Sequence, residues 1–383
     1  MKRAPFTIVF LITDLETGGA EIMLYRLLAH LDREKFEPTV ISLRRAGPLG
    51  EKICALNIPV LALGMDPDHP NPFAWFKLLR ILKHIHPSLI QTWMYHSDLL
   101  GGLAGFIIRI PVIWGIHNST TDPAHTRRRT LIIVRLCAFL SRLIPAKIIS
   151  CSERACQVHV QAGYAREKFV IIPNGFDITE FKPDPDAAKN LRLQMGIEPT
   201  VSLIGMVARY DPQKDHANFI RAAQIYHQTS PQTHFLLCGE GLTWQNTSIG
   251  AEIDAAGLRS QFHLLGRRID MPTVYPVLSL HGLSSAYGEA FPNALGEAMA
   301  CGVPCFATDV GDCSFIIGDT GLVVPPKDSQ ALADAWEQIL CLSAEERLTL
   351  GERARQRIQQ LFSIAQVAWR YEELYEQVLQ GNR

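Results

Sequence analysis

Short apolar runs alternate with amphipathic stretches along the whole chain. Segments 6–13, 39–43, 60–63, 89–91, 112–116 and 147–150 each read as buried strands. Between them the spacing of apolar positions predicts helices over 21–31, 73–85, 97–107 and 126–143. Strands apolar on both faces and separated by helices imply βαβ units, hence a parallel sheet covered on both sides. A further run at 169–172 is followed by Pro173-Asn174-Gly175 and a polar stretch rich in Pro and Asp through Asp186, the best linker in the chain.

Beyond Thr200 the alternation restarts. Strands are predicted at 201–207, 234–238, 261–265, 277–280, 304–307 and 321–324, with helices at 215–228, 293–300 and 330–340. The chain thus divides into two α/β domains, 1–180 and 181–363. A last helix from Ile364, carrying Trp369, Tyr371, Leu374 and Tyr375, is expected to pack back on the first domain (364–383). Doubly wound sheets bind ligands at the carboxyl ends of their strands, so two such domains are expected to face each other across a cleft.

Composition narrows the function. The 383 residues are 47% hydrophobic and 20% charged, with a net charge of -1. That is a globular protein without the cationic excess of a general nucleic-acid binder. The nine cysteines are scattered at no zinc-ligand spacing, which suggests buried apolar thiols in a reducing, cytoplasmic setting. Lys2 and Arg3 precede an apolar run, but that run is short and ends in Asp14, so it reads as a strand rather than a leader. The stretch 131–144 is interrupted by Arg135 and Arg142 and falls short of a membrane span. A soluble or at most peripheral protein is expected.

Four constellations fall at strand ends. In Tyr287-Gly288-Glu289-Ala290-Phe291-Pro292-Asn293 a helix is expected to begin at Pro292 and to end by Gly302. Glu289 then precedes the helix and Glu297 lies inside it. The amides of Asn293, Ala294 and Leu295 make an anion site. A phosphate-centred ligand with hydroxyls at both ends, such as a nucleotide sugar, suits that arrangement; a capped surface helix with incidental glutamates is the plainer alternative. After the strand at 201–207, Arg209 and Lys214 are placed to neutralise a diphosphate as it departs. Gly18-Gly19 forms a tight turn after the first strand, without the spacing of a dinucleotide fingerprint. His117 directly follows the strand 112–116, where it can donate a hydrogen bond or act in acid–base work. The two Asp-x-Asp pairs, Asp66-Pro67-Asp68 and Asp184-Pro185-Asp186, sit in polar loops and make poor metal sites.

Together, in this order, these elements resemble glycosyltransferase family 4, retaining enzymes of the GT-B fold. Glu289 and Glu297 match the family's Glu-x7-Glu signature, and Arg209 and Lys214 its Arg/Lys pair. Pro173-Asn174-Gly175-Phe176-Asp177 resembles its Pro-Asn-Gly-x-Asp segment, and Gly18-Gly19 its N-terminal glycine turn. The resemblance implies that Glu289 contacts the donor sugar and Glu297 the ribose. It also implies that Arg209 and Lys214 hold the diphosphate while His117 lies beside the transferred sugar. Asp215 stands where many relatives have Gly, as does Ala290.

The implied reaction is metal-independent, retaining transfer of a hexosyl or N-acetylhexosaminyl group from a nucleotide sugar, with UDP as the nucleotide. The acceptor would be a glycan or lipid-linked saccharide of cell-surface polysaccharide or glycolipid synthesis. Arg127-Arg128-Arg129 opens a partly basic, apolar stretch, and contact of 126–144 with the inner face of the cell membrane is expected from it. Two other readings keep the fold: a sugar-nucleotide epimerase or hydrolase, and a catalytically degenerate partner subunit.

Overall fold

A computed structural model describes residues 4–66, 72–124 and 126–381. Lys2, Arg3, Pro67 and Asp68 fall outside them. The chain forms two compact units, Met1–Gly175 with Ile364–Arg383, and Phe176–Ser363. The crossing falls at Gly175–Phe176 rather than near residue 180.

Unit 1 opens with β1 (Phe6–Ile12), α1 (Gly19–His30), β2 (Phe36–Ser42), α2 (Gly47–Ala55) and β3 (Val60–Ala62). It continues through α3 (Pro72–Ile85), β4 (Leu89–Trp93), α4 (Tyr95–Ile108), β5 (Val112–Ile116) and α5 (Arg128–Leu140). It ends its first passage with β6 (Lys147–Ser150), α6 (Glu153–Gln161) and β7 (Phe169–Ile171). The sheet is parallel, in the order β3-β2-β1-β4-β5-β6-β7. Side chains of β1 alternate between its faces. Ile8, Phe10 and Ile12 join the α1 core, while Val9 and Leu11 join Leu78, Leu82, Ala104 and Val134 from α3, α4 and α5.

Unit 2 begins with α7 (Pro185–Met195), β8 (Leu203–Val207), α8 (His216–His227), β9 (His234–Cys238), α9 (Thr247–Ala255) and β10 (Phe262–Leu264). Then come α10 (Met271–Val274), β11 (Leu280–Leu283), α11 (Asn293–Ala300), β12 (Cys305–Thr308) and α12 (Cys313–Ile317). β13 (Gly321–Val324), α13 (Ser329–Leu340) and α14 (Ala344–Leu361) complete it. This sheet is also parallel, ordered β10-β9-β8-β11-β12-β13, with Trp336 packed against Phe219, Phe235 and Phe306. Finally α15 (Ile364–Gly381) rejoins unit 1, where Tyr375 meets Phe10 and Phe36 edge-on.

One expected strand is displaced. Residues 275–277 form a 3-10 turn closed by Leu278 N–H to the Tyr275 carbonyl, and the strand runs instead over Leu280–Leu283. His281 and Gly282 interrupt the apolar run and hide it from a periodicity reading. The shift matters, because the strand now ends directly before Ser284 and Ser285. Among missed elements, α7 begins at Pro185, in the last two residues of the expected linker, and runs on to Met195. Asp184 caps it, accepting from Ala187 N–H at 2.9 Å, and Pro185 takes the first helical position.

Candidate active site

In each sheet the strand order reverses at one point: between β1 and β4 in unit 1, and between β8 and β11 in unit 2. At such a switch point the loops following the two strands leave in opposite directions and open a crevice.

In unit 2 the crevice is formed by 208–215 and 284–292. Lys214 Nζ donates to Glu289 Oε1 in an ion pair whose side chains are only 14% and 6% exposed. Ser285 Oγ donates to the same oxygen at 2.6 Å. The two loops are stitched elsewhere by Ala286 N–H to the Gln213 carbonyl at 2.8 Å, and by Ser284 Oγ to the carbonyls of Lys214 and Asp215, each at 2.9 Å. Behind Glu289 lies Gly311, with φ +63; a Cβ there would come within 2.0 Å of the Glu289 carbonyl oxygen. Only glycine gives both that conformation and that approach.

Asp215 adopts φ 50, ψ 55, the left-handed region that favours glycine. The aspartate tolerates it and also caps α8, accepting from Asn218 N–H at 3.2 Å. Arg209 lies apart from the buried pair. More than half exposed, it donates from Nε to Asp211 at 3.1 Å. Lys214 is thus buried against a glutamate, while Arg209 is tethered at the surface to Asp211.

Helix α11 starts at Asn293 with Pro292 as its cap residue, one position later than expected, and its last turn closes through Gly302, φ +75. The first amides of any helix lack intrahelical acceptors, and Asn293, Ala294 and Leu295 follow directly on the crevice loop 284–292. Glu297 is buried one turn on, and its Oε2 accepts from the Tyr275 hydroxyl at 2.7 Å. Tyr275 was not singled out by sequence, because a tyrosine before a proline carries no periodic signal. Gly296 admits the ring of Phe176: a Cβ would lie 2.1 Å from Phe176 Cζ. The first residue after the crossing is thereby wedged against the helix that carries Glu297.

In unit 1, Gly18 precedes α1 and Gly19 opens it, with the Glu21 carboxylate folded over Gly18. Burial, with help from Asp14 and Glu16, pushes Glu21 up to about 7. His117 follows β5. Its ring stacks on Trp93, the last residue of β4, at 4.4 Å and 6°. Neither ring nitrogen has a hydrogen-bond partner among the described residues. Burial lowers the imidazole to about 3, so it is neutral at pH 7. Asp98, which burial raises to about 8, is held by Thr92 Oγ1 at 2.6 Å and Gly115 N–H at 3.3 Å. None of the nine cysteines is in a disulfide, and seven are buried.

Residues 17–180 match the family described as Glycosyltransferase Family 4, and residues 188–357 match Glycosyl transferases group 1. The chain is 22% identical over 321 residues to an Escherichia coli UDP-Gal:α-D-GlcNAc-diphosphoundecaprenol α-1,3-galactosyltransferase, covering 81% of each. It is 25% identical over 302 residues to the lipopolysaccharide core biosynthesis mannosyltransferase LpsB of Rhizobium meliloti, covering 75% of this chain and 78% of that one. Among solved structures, Anabaena HepE in complex with UDP superimposes with a TM-score of 0.85 at 24% identity, over 97% of this chain and all of the other.

Proposed function

Because this chain belongs to glycosyltransferase family 4 and has its two-domain GT-B fold, we propose that it is a retaining transferase using a UDP-sugar. It moves a hexosyl or N-acetylhexosaminyl group onto a saccharide or lipid-linked saccharide in the synthesis of a surface polysaccharide or glycolipid. The observation that carries the reading is the buried Lys214–Glu289 pair at the switch point of unit 2, one loop before the start of α11. The names of the relatives support the class of reaction. They differ in the sugar moved, galactose in one and mannose in the other, so the hexose is not inherited from them.

In this reading the UDP diphosphate sits at the α11 amides, flanked by Lys214 and Arg209. Negative charge grows on the β-phosphate as the glycosidic bond breaks and the sugar becomes oxocarbenium-like. Fixed donors aimed at that charge each lower the barrier by roughly 3–4 kcal/mol. The reaction then needs no metal, since the two cations and the helix dipole supply the positive field. Arg209 can exchange its exposed aspartate for phosphate at little cost, because such surface pairs contribute only ~0–1 kcal/mol. Glu289, oriented by Lys214 and Ser285, accepts from sugar hydroxyls; Glu297, held by Tyr275, accepts from the ribose. Neutral His117 bonds the sugar from unit 1.

The acceptor side includes α5. Ile132, Leu136, Phe139 and Leu143 recur at helical spacing and are all exposed, with Arg128, Arg129, Arg135 and Arg142 interspersed. Such a stripe suits an anionic bilayer surface at the inner face of the cell membrane. Among the described residues no helix is long and apolar enough to cross one. Sedimentation with phosphatidylglycerol vesicles, lost in Phe139→Ser/Leu143→Ser, checks this contact.

The central test is thermal stability with UDP, GDP, ADP or dTDP, beside Glu297→Ala. A ligand at about 100 times its Kd adds about 2.7 kcal/mol. UDP alone should stabilise, the variant should not respond, and the product of transfer should keep the donor's anomeric configuration by NMR with EDTA present. Stabilisation by none of the four nucleotides overturns the reading.

A further inference from the structure

His117 poses a question of orientation. A histidine that bonds a substrate is ordinarily aimed by a hydrogen bond from its other ring nitrogen to a carbonyl or carboxylate. Here neither nitrogen has such a partner among the described residues, and the one buried carboxylate near the strand end, Asp98, is engaged by Thr92 and Gly115 instead. What lies against the imidazole is an aromatic stack. Trp93 is parallel to it at 4.4 Å and 6°, and Tyr371 of α15 is in turn parallel to Trp93 at 6.2 Å and 9°. Trp93 is fully buried and Tyr371 1% exposed, so neither ring can swing away.

We propose that Trp93, backed by Tyr371, is the positioning device of His117 in glycosyl transfer, aiming the imidazole edge at the sugar through stacking alone. The inference rests on the role given to His117 above. Stacking fixes the plane of the ring and hence the direction of its N–H, which a hydrogen-bonded partner would otherwise fix. It also explains two features that packing alone leaves idle: the parallel alignment of Trp93 with both His117 and Tyr371, and two buried ring nitrogens left without a partner among the described residues. Tyr371 does not touch the sugar; it acts through Trp93.

The test is a double-mutant cycle on the full chain, assayed for transfer well below the melting temperature of every variant. His117→Ala sets the scale. Trp93→Leu and Tyr371→Leu remove the aromatic plane while keeping an apolar side chain, and each should lower kcat by roughly ten- to a hundredfold. The Kd for UDP should stay within about twofold, since the groups assigned to the nucleotide belong to unit 2. In the His117→Ala background both substitutions should lose their effect on kcat, which a general loss of packing would not do. Tyr371→Phe, which restores the ring, should recover most of what Tyr371→Leu loses.

Equal losses with and without His117, or wild-type kcat in both leucine variants, overturn the positioning role and leave the transferase reading intact. A wild-type kcat in His117→Ala overturns the assignment of His117 and this inference with it. Failure of the wild type to transfer from any UDP-sugar overturns the underlying reading and, with it, the inference built on it.

Discussion

Replacing Lys214 by Met removes one charge of the unit 2 pair while keeping most of the side-chain stem. The partner, Glu289, is 6% exposed and Lys214 14%, so the carboxylate loses its cation in a site that water barely reaches. Breaking a buried pair from one side costs about 3–5 kcal/mol, and the slight exposure of Lys214 sets the expectation near the lower value, about 3 kcal/mol. For a domain the size of unit 2, each kcal/mol moves the melting temperature by about 2–4 °C. Its transition should therefore fall by about 6–12 °C, read by differential scanning calorimetry, which resolves domains that melt separately. The double variant Lys214→Met/Glu289→Leu removes both charges and should melt above Lys214→Met alone, although neither transfers sugar. A strictly additive double variant, or Lys214→Met within 1 kcal/mol of wild type, would refute the claim that the pair is coupled and buried.

Three further outcomes are expected. Tyr275→Phe deletes the donor to Glu297 at 2.7 Å; a hydrogen bond to a charged group contributes about 1.5–3 kcal/mol, so calorimetric titration should show UDP binding weakened about ten- to a hundredfold. Gly296→Ala forces a methyl into the Phe176 ring and should destabilise unit 2 by about 1–3 kcal/mol. Adding Phe176→Leu should return part of that loss in urea unfolding. Burial lowers His281 to about 3 in the folded state, whereas the unfolded side chain titrates near 6.5. The unfolded chain thus binds the extra proton between those values, and stability falls as pH drops below about 6.5. Between pH 7 and 5 the His281 share is on the order of 1–2 kcal/mol, and His281→Leu should flatten the slope by that amount; an unchanged slope removes His281 as its source.

Several strands were legible residue by residue: Val112–Ile116, Lys147–Ser150 and His234–Cys238, interior along most of their length, and the partly buried Gly321–Val324 fall where the apolar runs lie. The strand of Leu280–Leu283 was not, because a histidine and a glycine occupy its centre and tertiary packing alone makes them interior. Helix α7 was lost to its own start signal, since Asp-Pro reads equally as a turn and as a cap followed by a first helical proline. At the site, the residue types of Glu289, Glu297 and Lys214 were visible in their motifs. The contact of Lys214 with Glu289 was not, because it depends on β8 and β11 being neighbours in the sheet although far apart in sequence. The stack under His117 was equally hidden: an aromatic residue ending a buried strand signals core, and its partner Tyr371 arrives from the opposite end of the chain.

That late arrival has a consequence for how the molecule is made. β1 and α1 leave the ribosome well ahead of α15, yet the face they cover is completed by Tyr371, Leu374 and Tyr375 of that helix. Everything unit 2 requires, from Phe176 to Ser363, emerges in the interval. Domains fold as units while the chain elongates at about 5–20 residues per second, so the later domain can finish while the earlier one still lacks a wall. Unit 1 is begun before unit 2 and closed after it. Its exposed aromatic face awaits α15 for the whole time that the intervening domain is being synthesised, and a chain truncated before Ile364 would carry that face open permanently.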